Sequence, residues 1–162
     1  MKIQLDDDEA LALGRAMRSN DAAMRNRRAI ATLAVAAAVP LGVVALWQIG
    51  AIRKIPEPKL PHFDAAKVNG SAQGYDKLQT PDAILGIGSM IATMGLAAMG
   101  PPKRSSLLTQ ILAAKIAMDV ATSAKLTVDQ WTKYRAFCFW CLLSATATFA
   151  MLPFAWNEIR SS

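Results

Sequence analysis

Four stretches of this chain are apolar enough to be read as helices buried in lipid or in one another. From Ala29 to Ile52 there are 24 consecutive uncharged residues, more than the roughly 20 that a helix needs to cross a bilayer. The second stretch, Ala83 to Gly100, is dotted with Gly86, Gly88, Ser89, Thr93, Gly95 and Gly100. Small residues let helix backbones approach where lipid supplies little driving force, so a packed helix is predicted. The fourth, Ala136 to Trp156, is uncharged, carries Pro153 near its end and sets Trp156 at an interface. The third, Leu107 to Leu126, is broken by Gln110, Lys115, Asp119 and Lys125. At about 100° per residue Lys115, Asp119 and Ser123 share one face, while Leu108, Leu112 and Ile116 fall elsewhere. Ionisable groups are costly at membrane depth. The i,i+4 pair Lys115 and Asp119 therefore reads as a neutralising salt bridge that lets the helix insert, or as a proton relay; the segment also reads as a helix on the surface.

The polar stretches between these runs have their own character. In the loop 53–82, Pro56, Pro58 and Pro61 make an extended, helix-poor exit, followed by His62 as a solvated loop residue. Asp64 to Thr80 reads as a short polar helix or cap over the mouth of the bundle. Residues 1–28 have Asp6, Asp7 and Asp8 early, Arg15 and Arg18 late, and Leu11, Leu13 and Met17 between them. They read either as an interfacial amphipathic helix or as a partly disordered polar tail. The acidic run Asp6 to Glu9 and the length of the apolar run that follows argue against a cleaved signal peptide. The expected organisation is a basic cytoplasmic tail (1–28) and one membrane domain (29–157) with spans near 29–52, 83–100, 107–126 and 136–156.

Composition agrees with an all-α integral membrane protein: 53% of residues are hydrophobic, and charge gathers between the apolar runs. A net charge of +6 raises nucleic acid as a partner, but no basic stripe is interleaved with aromatics, and the cations are read as flanking the lipid bilayer. Arg15, Arg18, Arg25, Arg27 and Arg28 before the first span, with Lys103 and Arg104 after the second, favour the cytoplasmic side. Four spans then put the start of the fourth helix outside, whereas three would put it inside. Arg53, Lys54, Lys59, Lys133 and Arg135 would be external in the four-span arrangement.

The candidate chemistry lies at that start. Cys138 and Cys141, in Cys138-Phe139-Trp140-Cys141, are the only cysteines. Two cysteines cannot make a four-thiolate zinc site, Leu142 rather than His follows Cys141, so c-type haem attachment is unsupported, and no metal is expected. A thiolate is the nucleophile in disulfide exchange and is favoured at a helix amino terminus or beside cations. Cys138 is expected in the first turn of the fourth helix with Lys133 and Arg135 just upstream, facing a soluble protein. Cys141 is expected one turn deeper, where a membrane-dissolved quinone could approach. Two buried structural cysteines at this spacing are the other reading.

The run from Thr127 through Glu158, TVDQWTKYRAFCFWCLLSATATFAMLPFAWNE, resembles the vitamin K epoxide reductase family, specifically short bacterial members without a fused thioredoxin-like domain. VNGSAQGYDKLQTPDAILGIGS, Val68 to Ser89, is similar to that family's passage from an extracytoplasmic loop into its second helix. The resemblance implies a four-transmembrane-helix bundle around a quinone site near the outer membrane face. It implies Cys141 as the quinone-proximal reactive cysteine and Cys138 as the partner that exchanges with other thiols. Ser71 matches a loop serine of the family pattern. Asp82 falls where many relatives have an asparagine that hydrogen-bonds a quinone oxygen, and Trp140 joins these two in the implied quinone-binding set. The chain departs from the pattern in having no cysteine pair in Asp64 to Thr80 and in having Ala145 where a tyrosine is frequent. The function so implied is a thiol–disulfide oxidoreductase of the bacterial cytoplasmic membrane. It would couple the CxxC pair, near the periplasmic face, to quinone as substrate in periplasmic disulfide formation. Its partner would be a thioredoxin-like protein or a larger membrane complex. The alternative is a non-catalytic accessory subunit that keeps the same fold.

Overall fold

The computed structural model describes residues 6–75, 79–101 and 103–161. The sequence expectations for residues 1–5 of the tail and 76–78 of the loop lie outside the described residues. Among those described there is no strand, only one isolated parallel bridge between Phe63 and Phe137. The elements are α1 (Asp7–Met17), α2 (Ala22–Gln48), α3 (Ala65–Asn69), a 3-10 turn (Ala72–Tyr75), α4 (Asp82–Ala98), α5 (Ser106–Asp129), a π-helical turn (Gln130–Tyr134), α6 (Phe139–Phe149) and α7 (Leu152–Ser161).

Helix boundaries follow local chemistry more than the edges of the uncharged runs. The tail does form a helix, because Asp6 accepts from Glu9 N at 2.8 Å while the Glu9 carboxylate accepts from Asp6 N, which satisfies two of the orphan donors of α1. Arg28 donates to Met17 O and Ser19 O, tying the end of α1 to α2. α2 begins inside the arginine tract, seven residues before the uncharged run, and Pro40 removes one rung from its middle. The fourth apolar stretch is two helices, α6 and α7. Pro153 sits in the first turn of α7, where a missing N–H costs little.

Three helical segments have the length and apolarity of a membrane crossing: Ala22–Gln48, Ser106–Tyr134 and Phe139–Arg160. α4 is apolar but has 17 residues. Large apolar side chains such as Val39, Ile91, Met118 and Leu143 point outward, as a surface meeting lipid requires.

α2 is the central element, packed against α4, α6 and α7, while α5 lies against α6 and α7. The core is rich in alanine. Ile30, Ala34, Ala37, Met90, Ala97, Leu112, Ile116, Met151 and Ala155 form one buried cluster. A second cluster, with Val44, Ala45, Ile55, Ala65, Val68, Ala83, Ala136 and Cys138, lies at the CxxC end. Gly86 lets α4 close on α2, since a Cβ there would stand 2.9 Å from Leu41 Cδ1.

Two ionic clusters join helices across these packed interfaces. Between α4 and α5, Lys115 Nζ donates to both Asp119 oxygens at 2.6 and 2.7 Å and to Ser89 Oγ and Thr93 Oγ1. Ser89 and Thr93 in turn donate to Asp119. At the end opposite CxxC, Arg27 Nε donates to Glu158 at 2.6 Å and its Nη1 to Pro101 O, with Arg104 also beside Glu158.

Candidate functional site

The site is assembled where the C-terminus of α2, the N-terminus of α4, the π turn after α5 and the start of α6 meet. Arg135, with φ 50°, ends the π turn in the left-handed region and redirects the chain. Phe137 N then donates to His62 O at 2.7 Å and Asp64 N to Phe137 O at 3.0 Å, which stitches the proline-rich strap and the cap segment to the start of α6.

Cys138 is the N-cap residue of α6. Its backbone N–H is taken by Gln130 Oε1 at 2.7 Å, and its Sγ accepts the backbone N–H of Cys141 at 3.2 Å. Both cysteines are free thiols. Cys141 donates its S–H to Asn69 Oδ1 at 3.4 Å. The Asn69 amide is oriented by Nδ2, which donates to Ala65 O at 2.8 Å. The Asn69 backbone oxygen accepts from Gln48 Nε2, and the same nitrogen donates to Asp82 Oδ1 at 2.8 Å. A continuous polar chain thus runs from the Cys141 sulfur to Asp82, beside apolar Val68, Ala83, Ile87 and Leu41.

The expected exposure of the two sulfurs is corrected by this geometry. Cys138, expected to face a soluble protein, is 0% exposed, whereas Cys141 is only half-buried. Nor do the upstream cations surround the sulfur. Lys133 is engaged by Asp129 and Gln73, and the Arg135 guanidinium lies 5.4 Å over the Trp131 ring. The physical reason is the π turn, which directs those side chains outward while a backbone N–H and the buried Gln130 amide fill the surroundings of Cys138.

The remaining expected site residues hold the walls. The Trp140 indole donates to Pro56 O and so fastens the strap across α6. Ser71 Oγ lies 3.0 Å from both Val68 O and the Tyr134 hydroxyl. Tyr134 donates to Gln73 Oε1, and Gln73 donates to Asp129, closing a latch on the far end of the cap. Asp82 is brought to the sulfurs through Gln48 and Asn69, while Trp140 and Ser71 act on the strap and cap. His62 is exposed in the loop, as expected, and its ring meets Trp131 edge-on at 5.8 Å.

Asn69, Gln48 and Gln130 were not singled out by sequence reasoning. Gln48 carried a usable signal, as a polar residue at the end of an apolar run. Asn69 and Gln130 carried none, because each sits in a stretch that reads as loop or helix end. A furrow between α2 and α4, lined by Ala34, Ala38, Met90 and Met94 among others, and a groove beneath Lys54 to Lys59 contain neither cysteine. Among the described residues, no three His, Cys, Asp or Glu side chains gather as a metal site.

In comparison with known proteins, the sequence model described as "Vitamin K epoxide reductase family" matches residues 28–156 of the 162-residue chain. No curated protein matches it.

Proposed function

The chain belongs to the vitamin K epoxide reductase family, and from that premise we propose that it is a membrane thiol–disulfide oxidoreductase whose Cys138–Cys141 pair passes electrons from a dithiol partner to a quinone. The observation that carries the reading is the pair of free thiols on one turn at the start of α6, with Cys141 half-buried and hydrogen-bonded below a cap. In the quinone step the two thiols lose two electrons and two protons, one S–S bond forms, and the quinone becomes a hydroquinone. Leu41, Ile87 and Val68 offer apolar contact to such a ring, and Asp82 offers a polar one, donating to a quinone oxygen in its protonated form.

The same reading has four crossings, with the pair at the periplasmic face of a bacterial cytoplasmic membrane. It is supported by the way the ends meet: Gln48 of α2 with Asp82 of α4 at the cysteine end, and Arg27 with Gly100, Pro101 and Glu158 at the other. At 1.5 Å per residue the 17 residues of α4 reach roughly 25 Å, a modest mismatch to a bilayer core of about 30 Å. Orientation leans on the arginines before α2 and on the oxidising periplasm that a disulfide-cycling pair suits. With no cysteine in residues 53–82, the Cys138–Cys141 pair itself exchanges with an external dithiol, for which a thioredoxin-like protein is the fitting class. A second reading, a non-catalytic subunit of a larger membrane complex, draws on the complete burial of Cys138.

The test is quinone reduction by the dithiol-reduced protein in lipid nanodiscs, followed by quinone absorbance and thiol counting. One quinone should be reduced per two thiols lost, and Cys138→Ser and Cys141→Ser should each abolish turnover. A folded wild-type protein that keeps both thiols in excess quinone would overturn the enzyme in favour of the subunit.

A further inference from the structure

Asn69 connects the sulfur chemistry to the cap. Its side chain is buried, and because Nδ2 is committed to Ala65 O, Oδ1 is the atom turned to Cys141. An amide oxygen only accepts hydrogen bonds. Its bond to Cys141 therefore exists only while that sulfur carries hydrogen. The residue sits at the end of α3, a helix of five residues, whose other fastenings involve no thiol. Asp64 caps it, Glu57 accepts its first N–H, and Gln48 holds the Asn69 carbonyl. A short element of this kind contributes little stability of its own, and the bond to Cys141 is the one among these fastenings that depends on the state of a thiol.

We propose that Asn69 couples the redox state of the pair to the cap: the Cys141 S–H bond pins residues 64–70 over the sulfurs in the dithiol state, and its loss on disulfide formation frees them. The coupling rests on the proposed dithiol–disulfide cycle and adds to it an order of events. While the thiols still hold their electrons, the cap stays closed on a bound quinone. When both electrons and both S–H protons have passed to the quinone oxygens and the S–S bond has formed, neither sulfur can donate. Asn69 Oδ1 then has no donor at Cys141, and a buried acceptor without a donor is costly. The cap loosens at the moment the hydroquinone is ready to leave. Asn69 is thus a positioning residue, acting through Cys141 and the cap.

Hydrogen exchange of the full-length protein in nanodiscs tests this, read on peptides spanning residues 64–75. Wild type is compared after reduction with dithiothreitol and after oxidation with diamide, the thiols being counted in each. Exchange should quicken at least about five-fold on oxidation, as expected for the loss of one hydrogen bond. Cys141→Ser keeps a donor and cannot form the disulfide, so it should stay slow in both reagents. Cys141→Ala has no donor and should be fast in both, and Asn69→Leu should lose the redox dependence. Equal exchange in the Ser and Ala variants overturns the coupling, as does a redox dependence that survives Asn69→Leu. If diamide leaves the wild-type thiols free, the cycle fails, while the Ser and Ala pair still decides whether the S–H bond pins the cap.

Discussion

At the scale of single residues, the cap is built around close approaches that leave no room for substitution. A Cβ on Gly74 would stand 2.6 Å from the Asn69 backbone oxygen and 3.3 Å from Gln48 Nε2. Backbone on the cap would have to move, and the Gln48 bridge to Asp82 with it. Gly74→Ala should therefore cost about 1–3 kcal/mol, the range for overpacking a tight site, seen as a lower thermal midpoint. Gly42, inside α2, has nothing within 4 Å of its would-be Cβ. Gly42→Ala should raise the midpoint, since alanine in a helix interior is favoured by roughly 0.5–1 kcal/mol. A midpoint that does not fall in Gly74→Ala would show that the close packing of Gly74 against Asn69 is wrong, and one that does not rise in Gly42→Ala would show that Gly42 is not in open space. The roles of Asn69 and Gln130 belong to this scale too. Asn69 accepts from the Cys141 sulfur and Gln130 from the Cys138 backbone N–H, and no local pattern marks either residue.

At the scale of elements, the pairing of α4 with α5 depends on a polar cluster in an otherwise apolar interface. The i,i+4 spacing of Lys115 and Asp119 was legible in the sequence. Their neighbours were not, because Ser89 and Thr93 read as small residues for close packing and are also hydrogen-bond partners of both charges. Asp119 is 8% exposed and the Lys115 side chain 22%. Removing one charge leaves the other without its counter-ion, so Lys115→Met or Asp119→Leu alone should cost about 3 kcal/mol or more, and the double replacement markedly less. Thermal unfolding of the three variants in one detergent checks this, and additive single effects would show that the charges do not interact. Element ends were the least legible feature. Capping by Asp6 and Cys138, and the left-handed Arg135, depend on single residues within stretches that hydropathy averages over.

At the scale of the whole molecule, the two ends of the helices are closed by different devices. The end away from CxxC is tied by Arg27, Glu158 and Arg104, which join α2, α7 and the α4–α5 connection. Burial and the neighbouring Arg27 pull the Arg104 pKa below its ordinary value, with Glu158 opposing them. The charge of Arg104 is thus held at a cost in this cluster. Glu158→Gln should be severely destabilising, by about 3–5 kcal/mol for a broken buried pair. Adding Arg104→Met should recover part of the loss in thermal midpoint; a further fall instead would show that Arg104 contributes more by its bonds to Leu96 and Thr109 than it costs by its charge. Topology is tested in a Cys138→Ser/Cys141→Ser background carrying one new cysteine at an exposed lysine. Lys59→Cys should react with an impermeant maleimide in intact cells and Lys103→Cys only after permeabilisation. The opposite pattern would place the CxxC end inside.

By itself the sequence determined the all-α class, the apolar segments, the CxxC spacing and, through TVDQWTKYRAFCFWC and its continuation, the family. These are local properties: hydropathy over about 20 residues, a two-residue gap between cysteines, a recognisable run. Only the tertiary structure decided that Cys138 is sealed and Cys141 half-open, that Lys133 and Arg135 turn away from the sulfurs, and that Asn69, Gln48 and Asp82 line up behind them. Those outcomes depend on which polar groups from distant segments meet when helices close, because a buried donor or acceptor must find its partner wherever packing brings one.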